Sequence, residues 1–182
     1  MSRFELQFDR QWIPELARCY DYAGERDFIK SVAEPARTRG WLTPDEFIQL
    51  VAWKTQSRSL PLFLKNDRRQ MVEASRAACS PSTPEAERTR VLLQLEGVGF
   101  PVASVVLHFV ASAPYPILDR RALESLGYVS QRTTYTEHFW QEYVATCRLL
   151  ATQSQVSMRD LDRALWAWPG LPDRDRYRLH LR

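Results

Sequence analysis

At 182 residues, with 45% apolar and 12% aromatic side chains, the chain has material for one folded domain or two closely joined lobes. That composition excludes a disordered polymer. The formal net charge is only +3, yet 22 of the 25 basic residues are arginine, a bias compatible with bidentate phosphate binding and equally with GC-rich coding. The longest apolar run, residues 102–113, is interrupted by Ser104, His108 and Ser112, which argues against a membrane partner. The opening MSRFELQFDR has no secretory apolar stretch, so a cytoplasmic protein is expected. Three scattered cysteines, Cys19, Cys79 and Cys147, do not suggest a disulfide framework.

Taken in order, Phe4, Leu6 and Phe8 alternate with polar residues in the manner of a short strand. A helix is expected from about Pro14, with Leu16, Cys19, Tyr20 and Ala23 on one face and Gly24 as its break. A second helix, 27–38, offers Phe28, Ile29 and Val32 and ends at Arg39-Gly40. Thr43-Pro44-Asp45-Glu46 reads as a capping box with proline in the first turn. The helix it opens runs to about Gln56 and buries Phe47, Ile48, Val51 and Trp53. Residues 57–61 read as a loop, and Asn66-Asp67 opens a helix to Cys79. Ser82 and Glu85 form a second box around Pro84, starting the apolar helix that ends at Leu95. Further on, a short helix carries Ala122, Leu123 and Leu126 and stops at Gly127, followed by a polar loop over 128–134. Thr134 with Glu137, and Ser157 with Asp160, supply two more boxes. The helix after the first has Trp140, Tyr143, Val144, Cys147, Leu150 and Ala151 at amphipathic spacing. The helix after the second carries Leu161, Ala164, Leu165 and Trp168 and stops at Pro169-Gly170. The tail to Arg182 reads as one more charged helix. The expected class is all-α, without internal repeats.

Leu95-Glu96-Gly97-Val98-Gly99 joins two apolar helices through a very short turn, a helical hairpin. Its glycines permit backbone geometries closed to other residues, and Pro101 suits the first turn of the following helix. Unpaired N–H groups at such a junction, with the positive end of the helix dipole, suit a phosphate. Twenty residues after Gly99, behind Pro114 and Pro116, Asp119 opens the next helix. These features resemble the helix-hairpin-helix motif and its continuation in the helix-hairpin-helix DNA glycosylase superfamily, to which endonuclease III belongs. Tyr115-Pro116-Ile117-Leu118-Asp119 is most similar to the adenine glycosylase branch. Motif resemblance covers about residues 85–127; outside them it is topological.

The resemblance implies a two-lobed helical fold with the hairpin lobe over about 43–130, the second lobe from 1–40 plus 131–182, and the substrate pocket between them. It implies a monomer that binds DNA and excises a damaged or modified base in base excision repair. No iron–sulfur cluster is expected, because three dispersed cysteines cannot form the four-cysteine loop of many relatives. A monovalent cation at the hairpin is compatible with the resemblance, and no protein metal site is expected. DNA contacts are implied for Gly97, Val98, Gly99, Phe100, Val102, Ala103, Ser104, Gln56 and Arg120, and a base pocket for Trp53 and Lys54. Asp119 stands where the family has the carboxylate that stabilises a cationic sugar.

Each assignment has a plainer alternative. Asp119 is also a natural N-cap for residues 120–126. Trp53 and Lys54 suit core packing and a solvated charge, Arg120 and Arg121 a solvated pair, and His108 a satisfied structural histidine. Bifunctional relatives carry a lysine where this chain has Pro101, so an enzyme here would be monofunctional, with water as nucleophile. The adenine glycosylases place a general-acid glutamate on a helix corresponding to 50–56, where this chain has no carboxylate; adenine-mismatch activity is therefore not expected. Two further readings remain: a catalytically silent DNA-binding module of the same fold, and a helical protein-interaction adaptor.

Overall fold

In the computed structural model, the described residues are 3–128, 134–173 and 175–176, and every regular element among them is helical. The chain forms two compact units: Met1–Tyr22 with Pro116–Arg182, and Ala23–Tyr115. The borders therefore fall after Tyr22 and after Tyr115 rather than near 40–43 and 130. Side chains explain the shift. Arg37 donates to the carbonyls of Phe109 (2.9 Å) and His108 (3.1 Å), tying residues 25–39 to the middle unit.

In the middle unit, α2 (Glu25–Phe28) continues through a π-helical stretch (Ile29–Ala33) into α3 (Glu34–Arg39). Pro35 accounts for the wide turn: it has no N–H, and its ring would clash with the carbonyl four residues back in a regular helix. Gly40, at φ +82°, ends the segment as expected. The Thr43 box is complete, with the hydroxyl accepting from Glu46 N–H (3.3 Å) and the Glu46 carboxylate accepting from Thr43 N–H (2.7 Å). It opens α4 (Pro44–Thr55), which buries Phe47, Leu50 and Val51, while Ile48 and Trp53 are half-buried.

A helical turn, α5 (Leu60–Phe63), begins inside the stretch read as a loop and is held by the buried Phe63. Asp67 caps α6 (Arg68–Cys79), as its position foretold. The Ser82 box does not form: Ser82 bonds to Ser80 instead, and α7 (Glu85–Leu93) starts directly after Pro84. Last comes α8 (Phe100–Val110), in which every residue from Val102 to Val110 is buried. A helix apolar on all sides belongs at a centre, and α3, α4, α6 and α7 pack against it.

In the terminal unit, α1 (Ile13–Arg18) and α9 (Arg120–Ser125) pack on α11 (Met158–Ala167), beside α10 (Glu137–Gln153). The alternation of Phe4 and Phe8 marks burial without a strand. Glu5 and Gln7 N–H donate to the carbonyls of Leu126 and Ser125 (both 2.9 Å), the end of a helix rather than a partner strand. α1 ends earlier than its apolar spacing suggested, and Cys19 is exposed beyond it. α10 is capped by Thr136, two residues after Thr134, and its Trp140, Tyr143, Val144, Cys147 and Ala151 are buried as expected. Ser157 caps α11 through Asp160 N–H (3.0 Å). The expected loop over 128–134 and the tail helix lie largely outside the described residues. No helix among the described residues is long and apolar enough to cross a membrane.

Candidate nucleic-acid interface and catalytic carboxylate

The two hairpin glycines differ in what they do. Gly97 sits at φ +75°, in the left-handed region, and a Cβ there would lie 2.8 Å from both the Phe63 nitrogen and the Ser59 oxygen. The turn thus presses on the backbone of α5, at a distance only glycine allows. Gly99 is extended (φ −107°, ψ 179°), with nothing nearer to its Cβ position than Pro101 Cδ at 3.7 Å. Asn66 completes the seat. Its Oδ1 accepts from Glu96 N–H (2.8 Å), while Nδ2 donates to the carbonyls of Glu96 (2.9 Å) and Phe63 (2.7 Å).

Gly99 is the N-cap of α8 and brings no capping side chain. Val102 and Ala103 N–H already donate to its carbonyl (3.0 and 2.9 Å), and Pro101 has no N–H. Among the described residues, Gly97 and Gly99 N–H donate to no backbone carbonyl. The side chains of Val98, Val102, Ala103 and Ser104 are buried, Ser104 bonding to the Pro101 carbonyl at 2.8 Å. Any ligand contact from these four comes from backbone, not side chain. Phe100 is half-buried.

In the same unit, Gln56 ends α4 in the left-handed conformation (φ 49°), and Ser57 follows at φ 65°. Two successive non-glycine residues in that region store backbone strain of order 1–3 kcal/mol each. Both are exposed and precede Ser59, which Gly97 touches, so the Gln56 loop and the hairpin turn meet through α5. Trp53 stands differently. Its indole stacks on Phe28, centroids 4.4 Å apart and planes within 6°, with Phe109 edge-on at 6.1 Å. One face of the ring is therefore covered by the core, the packing alternative. Lys54 is half-buried beside it. His108 is the structural histidine expected, Nδ1 lying 2.6 Å from the Tyr115 carbonyl.

Asp119 and Arg120 belong to the terminal unit. Asp119 is half-buried and caps α9, Oδ1 accepting from Ala122 N–H at 2.9 Å. Its charge reaches an arc of phenols. Burial pushes up the pKa values of Tyr20, Tyr22, Tyr135 and Tyr143, and the Asp119 carboxylate adds to the push at each. Arg120 is exposed, whereas Arg121 lies over the Trp166 ring at 4.0 Å. Tyr20 and Tyr22 meet that same indole edge-on at 5.0 and 5.6 Å, and Arg159 lies 5.2 Å from the Tyr20 ring.

Sequence reasoning read Tyr20 only as part of a helix face, and missed Tyr22 and, on α11, the buried Asp162. The last left a signal. Met158, Leu161 and Leu165 form the buried stripe of α11, and Asp162 occupies a position of that stripe, a carboxylate on an apolar face. Among the described residues no three His, Cys, Asp or Glu side chains gather into a metal-ligating group. Comparison with protein-family models, with curated proteins and with solved structures gives no significant match to this chain.

Proposed function

We propose that the protein is a monofunctional DNA N-glycosylase, hydrolysing the bond between a damaged or modified base and deoxyribose. The observation that carries this reading is the hairpin: a Gly97-Val98-Gly99 turn seated on α5, leading into a helix N-terminus without a side-chain cap. Such an N-terminus attracts phosphate through N–H groups and dipole. Asp119, at the start of α9, supplies the carboxylate the chemistry requires. The C1′–N electron pair leaves with the base, and the sugar passes through a cationic state that Asp119 stabilises. Water then adds to C1′, and its proton passes to the carboxylate while the departing base is protonated by solvent. Capping with Oδ1 does not exhaust a carboxylate, which offers about four lone-pair sites.

The test is base release from oligonucleotides bearing uracil, alkylated, oxidised or bulky modified bases, read as alkali-labile strand breaks. Asp119→Asn keeps shape and capping ability but removes the charge. On a processed substrate it should lose roughly a hundredfold or more in rate while retaining DNA affinity. Full activity in the Asn variant overturns the catalytic role of Asp119. The Asp119–Ala122 cap also favours a second reading, a silent DNA-binding module; salt-dependent binding without base release from any substrate selects it. Absence of salt-dependent DNA binding selects the adaptor instead.

A further inference from the structure

The segment leading to Asp119 is gripped at one residue by two buried side chains from two different helices. Ile117 N–H donates to Asp162 Oδ1 on α11 (3.1 Å), and the Ile117 carbonyl accepts from the Tyr143 hydroxyl on α10 (2.8 Å). Tyr143 is fully buried and Asp162 is 5% exposed. The Asp162 carboxylate is held in turn by Arg159, Nη1 to Oδ2 at 2.6 Å. Between this grip and Asp119 stands only Leu118, itself fully buried.

Buried backbone groups need partners, and that need alone would be met by any neutral donor and acceptor. What is present is costlier: a carboxylate on the apolar face of α11, desolvated and neutralised by a guanidinium. A charged acceptor and a phenol donor, on separate helices, fix the Ile117 residue against both sliding and rotation. Two peptide units further on, that leaves the Asp119 side chain little choice of position. Its bond to Ala122 N–H at 2.9 Å, a local cap, reports that position.

We propose that Tyr143 and Asp162 are positioning residues that clamp Ile117 and thereby set the orientation of the Asp119 carboxylate. The catalytic value of the clamp rests on the glycosylase reading of Asp119; its geometric part does not. Preorganisation of this kind governs rate because displacing a reacting group by about 1 Å can cost on the order of a hundredfold.

The experiment compares Tyr143→Phe, Asp162→Ala and Asp162→Asn in the full chain, with Asp9→Ala as a control that removes a cap bond to Gln11 N–H in the same unit, away from both clamp helices. The readout is the Ala122 amide by NMR, which reports Asp119 through their hydrogen bond. In Tyr143→Phe and Asp162→Ala its exchange should quicken roughly tenfold or more. Asp162→Asn keeps an oxygen for Ile117 N–H but loses the charge paired with Arg159, and should quicken exchange less than Asp162→Ala, while Asp9→Ala should stay near wild type. Unchanged Ala122 exchange in folded Tyr143→Phe overturns the clamp. So does equal quickening in Asp9→Ala, which would mean general loosening. On a processed substrate, Tyr143→Phe should lower kcat about ten- to a hundredfold with KM little changed. If Ala122 responds as expected but Asp119→Asn releases base at the wild-type rate, the catalytic role of Asp119 fails and the clamp stands as a purely structural device.

Discussion

Asn66 holds the Glu96 peptide from both sides, Oδ1 accepting its N–H at 2.8 Å and Nδ2 donating to its carbonyl at 2.9 Å. The two residues are thirty positions apart, so the amide of the α5–α6 junction serves the hairpin turn as a partner strand would. Asn66→Ala removes these two bonds and the one to the Phe63 carbonyl, and should lower stability by about 2–4 kcal/mol, measured as a shift in urea midpoint. Asn66→Asp keeps the acceptor but turns the donor into an acceptor facing a carbonyl, and should not rescue the loss.

The turn glycines predict opposite outcomes. Gly97→Ala places a Cβ against two backbone atoms of α5 in a left-handed conformation, and should cost more than about 2 kcal/mol. Gly99→Val should fold normally, since extended backbone accepts β-branched residues. Its bulk beside the α8 N-terminus should instead weaken DNA affinity, with the salt dependence of the remaining binding retained. Unchanged affinity in a folded Gly99→Val variant would count against the hairpin as the DNA anchor.

Pro101 leads to a chemical prediction. No Schiff base can form at this position of the second hairpin helix, because proline offers no side-chain amine, so borohydride treatment during turnover should leave no protein–DNA cross-link. A trapped adduct would refute the monofunctional mechanism and point to Lys54, half-buried on α4.

The cysteines give a pH prediction. Burial pushes the Cys79 thiol up to about 12, with Arg88 opposing in part, and burial raises Cys147 as well; Cys19 is exposed. A thiol reagent near about pH 8 should modify Cys19 quickly and the other two only on unfolding. Unfolded thiols lose protons near about pH 8.5, whereas folded Cys79 keeps its proton. The stabilisation is thus fully present below that point, and stability should fall as pH rises from there toward about 12. Cys79→Ala should flatten part of this decline in urea titrations.

Much of the helical plan was legible because its determinants are local. Thr43 and Glu46 lie within one turn, Gly40 ends α3 where its sequence position indicated, and Asp119 and Ser157 cap helices through the residue three places on. Where local signals competed, packing decided. Thr134 and Thr136 are equally good caps by type, and the buried Phe139 and Trp140 select the second. Ser82 offers an oxygen to α7, but Ser80 is nearer and takes it. Pro35 passed unnoticed within an amphipathic pattern, since a π-turn absorbs it without disturbing which residues are buried.

The candidate site divides in the same way. The sequence by itself determined that Asp119 opens a helix, that Gly97 and Gly99 join two apolar helices, and that no amine stands at Pro101, because each depends on chemistry within a few covalent bonds. Only the tertiary structure decided that Gly97 alone needs to be glycine, since the atoms its Cβ would strike belong to α5. It likewise turned Trp53 toward Phe28 and brought Asp162, forty-five residues away, to the Ile117 N–H. The physical reason is that a cap or a turn is satisfied by its neighbours along the chain. The role of a buried polar or aromatic group is set by whichever distant atoms folding places against it, and no spacing along the chain records that choice.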